Sequence, residues 1–224
     1  MTEAIFTATI LSIFIASFSA LFTIMNPIST ASIYLTITKN NTLKEKRKIA
    51  KKAAIAAFIV LLSFALAGNL ILIFFGITVD AFRIAGGLLI TKVGFGMLSS
   101  KNDGREQITE EKDMEKEAIQ KEDVSLVPLA IPMLSGPGAM TTAIVLMNET
   151  GGWKATSIWY VIALIAAILT VCIVSYIILR QSVVVQKYIG KNEQAVIDKI
   201  MGLIVLVVGI QFIINGIIGI INML

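Results

Sequence analysis

Two stretches of this chain carry residues whose types and spacing could do chemistry: Met25-Asn26-Pro27-Ile28-Ser29-Thr30 and Leu134-Ser135-Gly136-Pro137-Gly138-Ala139-Met140-Thr141-Thr142. Each sets an Xaa-Pro step among small and hydroxyl residues inside a long apolar segment. Proline removes a backbone donor and frees the carbonyl four residues earlier, here those of Thr23 and Met133. In a bilayer such a break survives only where the opened backbone is buried in protein or faces a watery cavity, so it points to a substrate site. Asn26 stands where a helix N-cap belongs and Pro27 at the first helical position. Gly136, Pro137 and Gly138 repeat the arrangement with less side chain, and glycine admits a ligand close to the backbone and permits angles closed to other residues. The exposed N–H groups of two helix starts suit a carboxylate. The freed carbonyls, with the oxygens of Asn26, Ser29, Ser135, Thr141 and Thr142, suit an ammonium. A small zwitterion carries both charges.

The elements that must position these residues follow from composition. The chain has 224 residues, 56% of them hydrophobic and 15% charged, with mean hydropathy +0.85, which is the composition of a polytopic membrane protein. Apolar runs of spanning length occupy roughly 5 to 37, 49 to 75, 81 to 98, 125 to 147, 155 to 180 and 196 to 222, an all-α fold of six transmembrane helices. The net charge of +4 sits in the connections between spans, where lipid topology accounts for it without nucleic acid. Lys39, Lys44, Lys46, Arg47, Lys48, Lys51 and Lys52 crowd the first connection, the third holds Lys101, Arg105, Lys112, Lys116 and Lys121, and the fifth holds Arg180, Lys187 and Lys191. The second and fourth hold only Lys154 between them. The alternation predicts a multi-pass protein with three connections in the cytoplasm and both termini outside. There is no His and a single Cys172, which excludes a disulfide, a Cys/His zinc site and a Cys-His nucleophile within the chain, and no cofactor or metal is expected. The chain opens without a basic stretch and runs into a first span, so no cleaved signal peptide is expected.

The charged stretch 99 to 124 divides the chain into residues 1 to 98 and 125 to 224, three spans each, and is expected to be a solvated cytoplasmic linker. Pro27 aligns with Pro137, and Arg83-Ile84-Ala85-Gly86 aligns with Lys199-Ile200-Met201-Gly202. A repeat of three spans must lie inverted relative to its copy, the plan of many secondary transporters. Helices one and four would then break mid-membrane and run in opposite directions, with both amino ends converging on one place.

The remaining polar residues fit structural roles. Ser12, Ala16 and Ala20, four apart, make a small-residue stripe suited to close helix packing. Lys92, about eleven residues into helix three, lies roughly 16 Å from one end and about 9 Å from the other, so it can snorkel to the inner interface; a gating or coupling role is the other reading. Asn69, Gln211 and Asn215 suit interhelical hydrogen bonds, and Asp80 and Arg83 the outer interface. No Asp or Glu falls at the centre of a span, which leaves an ion-coupled mechanism without a visible carboxylate. An intramembrane enzyme would have only a Ser-Lys pair with Lys92 to work with, and none is expected.

Asn26-Pro27-Ile28, Ala85-Gly86-Gly87-Leu88-Leu89, Pro128-Leu129-Ala130-Ile131-Pro132 and Ser135-Gly136-Pro137-Gly138 resemble the MarC family of integral membrane proteins over essentially the whole chain. The resemblance implies a six-helix permease of a prokaryotic cell membrane for small neutral amino acids such as glycine and alanine, with Asn26, Pro27, Gly136, Pro137 and Gly138 at the substrate site. It leaves room for proton coupling. A passive channel, or an exporter of other small solutes or drugs, is the alternative. Oligomeric state, transport direction and substrate ranking are not set by the sequence.

Overall fold

The computed structural model describes residues 2–99, 134–151, 158–188 and 191–223. Every regular element among them is helical: α1 (Thr2–Met25), α2 (Pro27–Ile37), α3 (Leu43–Phe74), α4 (Val79–Ser99), α5 (Pro137–Glu149), α6 (Ile158–Tyr188) and α7 (Lys191–Ile221). Five stretches, Thr7–Ile37, Leu43–Phe74, Val79–Ser99, Ile158–Ser182 and Ala195–Ile221, are long and apolar enough to cross a membrane. The expected fourth span is described only from Leu134 onward, and the motif around Pro128 and the linker from residue 100 lie outside the described residues, as do Met133 and Trp153.

The first break exists: the span is cut at Asn26 between α1 and α2. α5 begins at Pro137 directly after Ser135-Gly136, and what precedes Leu134 lies outside the described residues. α3 begins six residues before its expected start. Thr42 and Glu45 form a capping box, in which the Thr42 hydroxyl accepts from the Glu45 N–H at 3.3 Å while the Glu45 carboxylate accepts from the Thr42 N–H at 2.7 Å. Two donors orphaned at the helix start are thereby satisfied, and the charged segment Lys44 to Lys52 becomes helix.

Glycines set the distances between helices. α4 and α7 pack antiparallel over their whole length: Cβ atoms placed on Gly87, Gly94 and Gly209 would lie 2.7 Å from the Gly209 carbonyl, 2.5 Å from the Leu206 nitrogen and 2.6 Å from the Thr91 nitrogen. These are backbone contacts, the close approach that small residues allow between membrane helices. α5 wedges between α3 and α4, where Gly68 receives Ile144 and Gly86 receives Thr141. Gly86 and Gly87 are adjacent yet serve different neighbours, because consecutive helical positions face about 100° apart. α2 packs against α6, and α3 also packs on α6. The Tyr34 hydroxyl donates to the Lys46 carbonyl at 2.7 Å and pins α2 to the start of α3.

The buried core joins the two breaks. Met25, directly before Asn26, is 1% exposed and Leu134 is 0% exposed, and both belong to one cluster with Leu21, Ala143, Leu164 and Ile168. The buried face of α1 is Ser17, Leu21 and Met25. Ser12 and Ala16 are exposed, so the predicted small-residue stripe is not the packing face. The bulkier set one position later fills the groove against α6, where burial of larger apolar side chains gains more dispersion contact.

Candidate functional site

Asn26 is the one described non-glycine residue in the left-handed region, at φ 39° and ψ 64°. An asparagine side chain can hydrogen-bond locally there, which is why this residue type tolerates the conformation. Its Oδ1 accepts from the Ser29 N–H at 3.4 Å and its Nδ2 donates to Ser29 Oγ at 2.7 Å. The same Nδ2 lies 3.8 Å from Met97 Sδ on α4. Ser29 Oγ in turn donates to Asp198 Oδ1 on α7. A continuous chain of donors and acceptors therefore links the helix break to a half-buried carboxylate. Pro27, 11-residue α2's first residue, is buried beside it.

Asp198 is a candidate site residue that sequence reasoning missed. It lies near the start of its apolar run, beside Lys199, where a carboxylate looks interfacial. Only the tertiary fold, which brings the start of α7 beside the start of α2, puts it on Ser29. Other described acidic side chains are engaged away from the breaks: Glu45 caps α3, and Asp80 and Glu149 bind Arg83 at 3.5 Å and 3.0 Å.

The second break is built differently. Gly136 is the N-cap of α5 with φ −61° and ψ 173°, and no side chain caps the helix. That conformation is open to any residue, so the strained position is Asn26 and not the glycine predicted to hold it. The Cβ position of Gly138 is 3.1 Å from Ile90 Cγ1 and 3.3 Å from Ile24 Cγ2. Gly138 thus lets α1 and α4 approach α5. Thr30, Thr141 and Thr142 also turn inward on their own helices: their hydroxyls donate to the carbonyls of Asn26 at 3.0 Å, Pro137 at 2.8 Å and Gly138 at 2.8 Å. Back-bonding to the carbonyl four residues earlier is the local competitor for such hydroxyls. Ser135 is fully buried. Pro137 is exposed and Gly136 half-buried, which leaves the start of α5 open; its first N–H groups, those of Gly138 and Ala139, have no partner within the helix.

Ile90 lies about 16 Å along α4 from Val79, and its contact with the Cβ position of Gly138 sets the start of α5 near the middle of that helix. Ile24, two residues before Asn26, meets the same Cβ position at 3.3 Å, so the end of α1 and the start of α5 lie side by side.

Lys92 is exposed on α4, away from Thr91, which faces Gly209, and it takes no part in either break. Gln211 and Asn215 pair with each other along α7 at 2.7 Å, an intrahelical bond in place of the predicted interhelical ones. Arg83 ties α4 to α5 through Glu149.

The strain and the cap at Asn26 can be separated experimentally. Asn26→Gly frees the left-handed backbone and loses the side-chain bonds, at a cost of about 1 kcal/mol or less. Asn26→Ala loses the bonds and adds about 1–2 kcal/mol of left-handed strain. Thermal unfolding of the purified protein should rank wild type above Asn26→Gly above Asn26→Ala; equal losses in the two variants would show that the backbone angle is not held against strain.

A family model described as MarC family integral membrane protein matches residues 11–221. A UPF0056 membrane protein of Methanocaldococcus jannaschii is 36% identical over 209 residues, 93% of this chain and 98% of its own length. UPF0056 membrane proteins of Bacillus subtilis and Escherichia coli are 34% and 32% identical, over 90% and 91% of this chain and 92% and 91% of their own. No solved structure matches the chain.

Proposed function

The chain belongs to the MarC family of integral membrane proteins, and from that premise we propose that it is a secondary transporter of small neutral amino acids such as glycine and alanine, working by alternating access. The observation that carries the proposal is the pairing of two unlike helix starts. α5 begins uncapped, with free N–H groups and the positive end of its dipole, which favours a carboxylate. α2 begins capped by Asn26 and next to the Asp198 carboxylate, which favours a cation, either the ammonium of the solute or a proton. The roles assigned to the two ends at the level of sequence are thus divided between them.

The end of α1 and the start of α5 meet through Ile24 and Gly138, so a small solute can lie between the two helix starts, and movement of one half against the other would alter their separation. An inverted repeat would supply that movement. α4 and α7 pair antiparallel, α3 meets α6, and α5 lies on α3 and α4 as α2 lies on α6 and reaches Asp198 of α7. Such interchangeable packing is what a pseudo-two-fold axis in the membrane plane requires. The end carrying Lys44 to Lys52 and Arg180 is cytoplasmic by the positive-inside rule, with both termini outside. Binding and orientation are the roles this reading gives these groups, and it makes the protein a carrier.

Radiolabelled glycine and alanine in proteoliposomes test this directly. Label should enter vesicles preloaded with unlabelled amino acid faster than empty ones, and a pH gradient should raise its plateau. Downhill flux without counterflow would make the protein a channel, and no flux of either solute would remove the amino-acid proposal.

A further inference from the structure

A second site lies at the basic end of the bundle, independent of solute or coupling. Lys44, Arg47, Lys48 and Lys51 of α3 and Tyr176 of α6 line one hollow of about 480 Å³ together with Glu45. Positions 44, 47, 48 and 51 recur at helical spacing, so the four cations share a face. Lys46, on another face, is half-buried and offers its carbonyl to Tyr34. The single acid of the hollow is engaged by the Thr42 N–H and hydroxyl, and four cations against one carboxylate leave the hollow positive.

The same face continues as hydrocarbon surface. Ile55 and Ile59 follow Lys51 at intervals of four on α3 and are 48% and 55% exposed, and Ile173 and Leu169 stand before Tyr176 on α6 at 48% and 45%. From Ala53 to Phe74, α3 rises about 32 Å, close to a hydrocarbon core of about 30 Å, which puts Lys48 and Lys51 at the level of lipid phosphates. Tyrosine is a residue of that level too. Topology alone asks for positive charge somewhere in this connection. It does not ask for four cations on one face, opposite a tyrosine, above an apolar stripe.

We infer that this hollow between α3 and α6 binds the headgroup of an anionic phospholipid, with the acyl chains lying along Ile55, Ile59, Ile173 and Leu169. Charge complementarity selects an anionic lipid over a zwitterionic one, because a choline headgroup would bring its own cation into the cluster.

Native mass spectrometry of the full chain with an equal mixture of phosphatidylglycerol and phosphatidylcholine tests the inference. Wild type should retain phosphatidylglycerol preferentially, and Arg47→Gln with Lys48→Gln should lower that retention roughly tenfold or more. Arg180→Gln with Lys199→Gln removes the same charge from exposed positions at the same end and should leave retention within about twofold. An equal fall in both double variants would reduce the effect to net charge and overturn the site, as would equal retention of the two lipids by wild type. Displacement by millimolar glycerol 3-phosphate would mark a site for free phosphate and overturn the lipid assignment. Preference that emerges only after Glu110, Glu111, Glu115 and Glu117 are changed to Gln would give the face to the acidic linker and overturn it as well.

Discussion

Gly94→Leu in α4 should lose about 3 kcal/mol or more of stability, while Gly96→Leu, two residues away, should be neutral or slightly stabilising. A Cβ at Gly94 would sit 2.5 Å from the Leu206 nitrogen, 2.8 Å from its Cα and 2.9 Å from the Gly202 carbonyl, whereas nothing lies within 4 Å of one at Gly96. Backbone atoms cannot rotate away as a side-chain tip can. Any side chain at Gly94 must push α4 and α7 apart, and this is the most extensive helix contact in the bundle. Overpacking of ordinary cores costs about 1–3 kcal/mol with side chains free to shift, so the helix-on-helix case belongs at or beyond the upper end. At Gly96 the added leucine meets lipid and gains about 1 kcal/mol in helix propensity. In detergent, the apparent Tm of Gly94→Leu should fall by roughly 10 °C with loss of monodisperse protein, and that of Gly96→Leu should not fall. Equal behaviour of the two variants would mean that α4 and α7 are not packed through these glycines.

The sequence carried the helix starts at Pro27 and Pro137 plainly, because proline and glycine in an apolar run have few other physical explanations. It also carried five of the six expected spans and, unnoticed, the start of α3, since Thr42 and Glu45 stand at capping-box spacing. It could not carry placement. An apolar run from 5 to 37 says that a helix can cross the bilayer, and nothing about which neighbours Asn26 meets; the approach of Met97 from α4 and the Ser29 link to Asp198 of α7 decide that. The direction of the hydroxyls was not legible either: Thr30, Thr141 and Thr142 donate to carbonyls of their own helices and keep only their oxygen lone pairs to offer elsewhere. Gly86 and Gly138 were legible as small, yet what they make room for is Thr141 in one case and Ile90 with Ile24 in the other. Asp198 shows the limit most clearly: a carboxylate three residues into a span is ordinary until a neighbouring helix supplies Ser29.

Asp198→Asn should preserve amino-acid exchange within about threefold and abolish the response to a pH gradient. Asparagine has nearly the same shape, and its Oδ1 can still accept from Ser29 Oγ, so the Asn26–Ser29 cap at the start of α2 persists. What it lacks is a proton that leaves and returns. If one proton moves with each solute, one unit of pH across the membrane sustains about tenfold accumulation, equivalent to about 1.4 kcal/mol; the variant should reach a ratio of about one under the same gradient. Competing charges do not obscure the assignment. α2 has no ionisable side chain other than Tyr34, Lys92 is exposed on α4, Asp80 and Arg83 lie at the opposite end of α4 paired with each other and with Glu149, and Glu193 and Lys199 of α7 are exposed. Ser29→Ala removes the hydroxyl and keeps the carboxylate, so its accumulation should still follow the gradient. The three measurements divide the alternatives. Exchange lost in Asp198→Asn makes the carboxylate a partner of the solute's ammonium and not a proton carrier. Accumulation retained in Asp198→Asn places the coupling elsewhere. A wild-type protein that exchanges glycine and ignores the gradient would be a transporter without proton coupling, and Asp198 would then serve to hold α2 against α7.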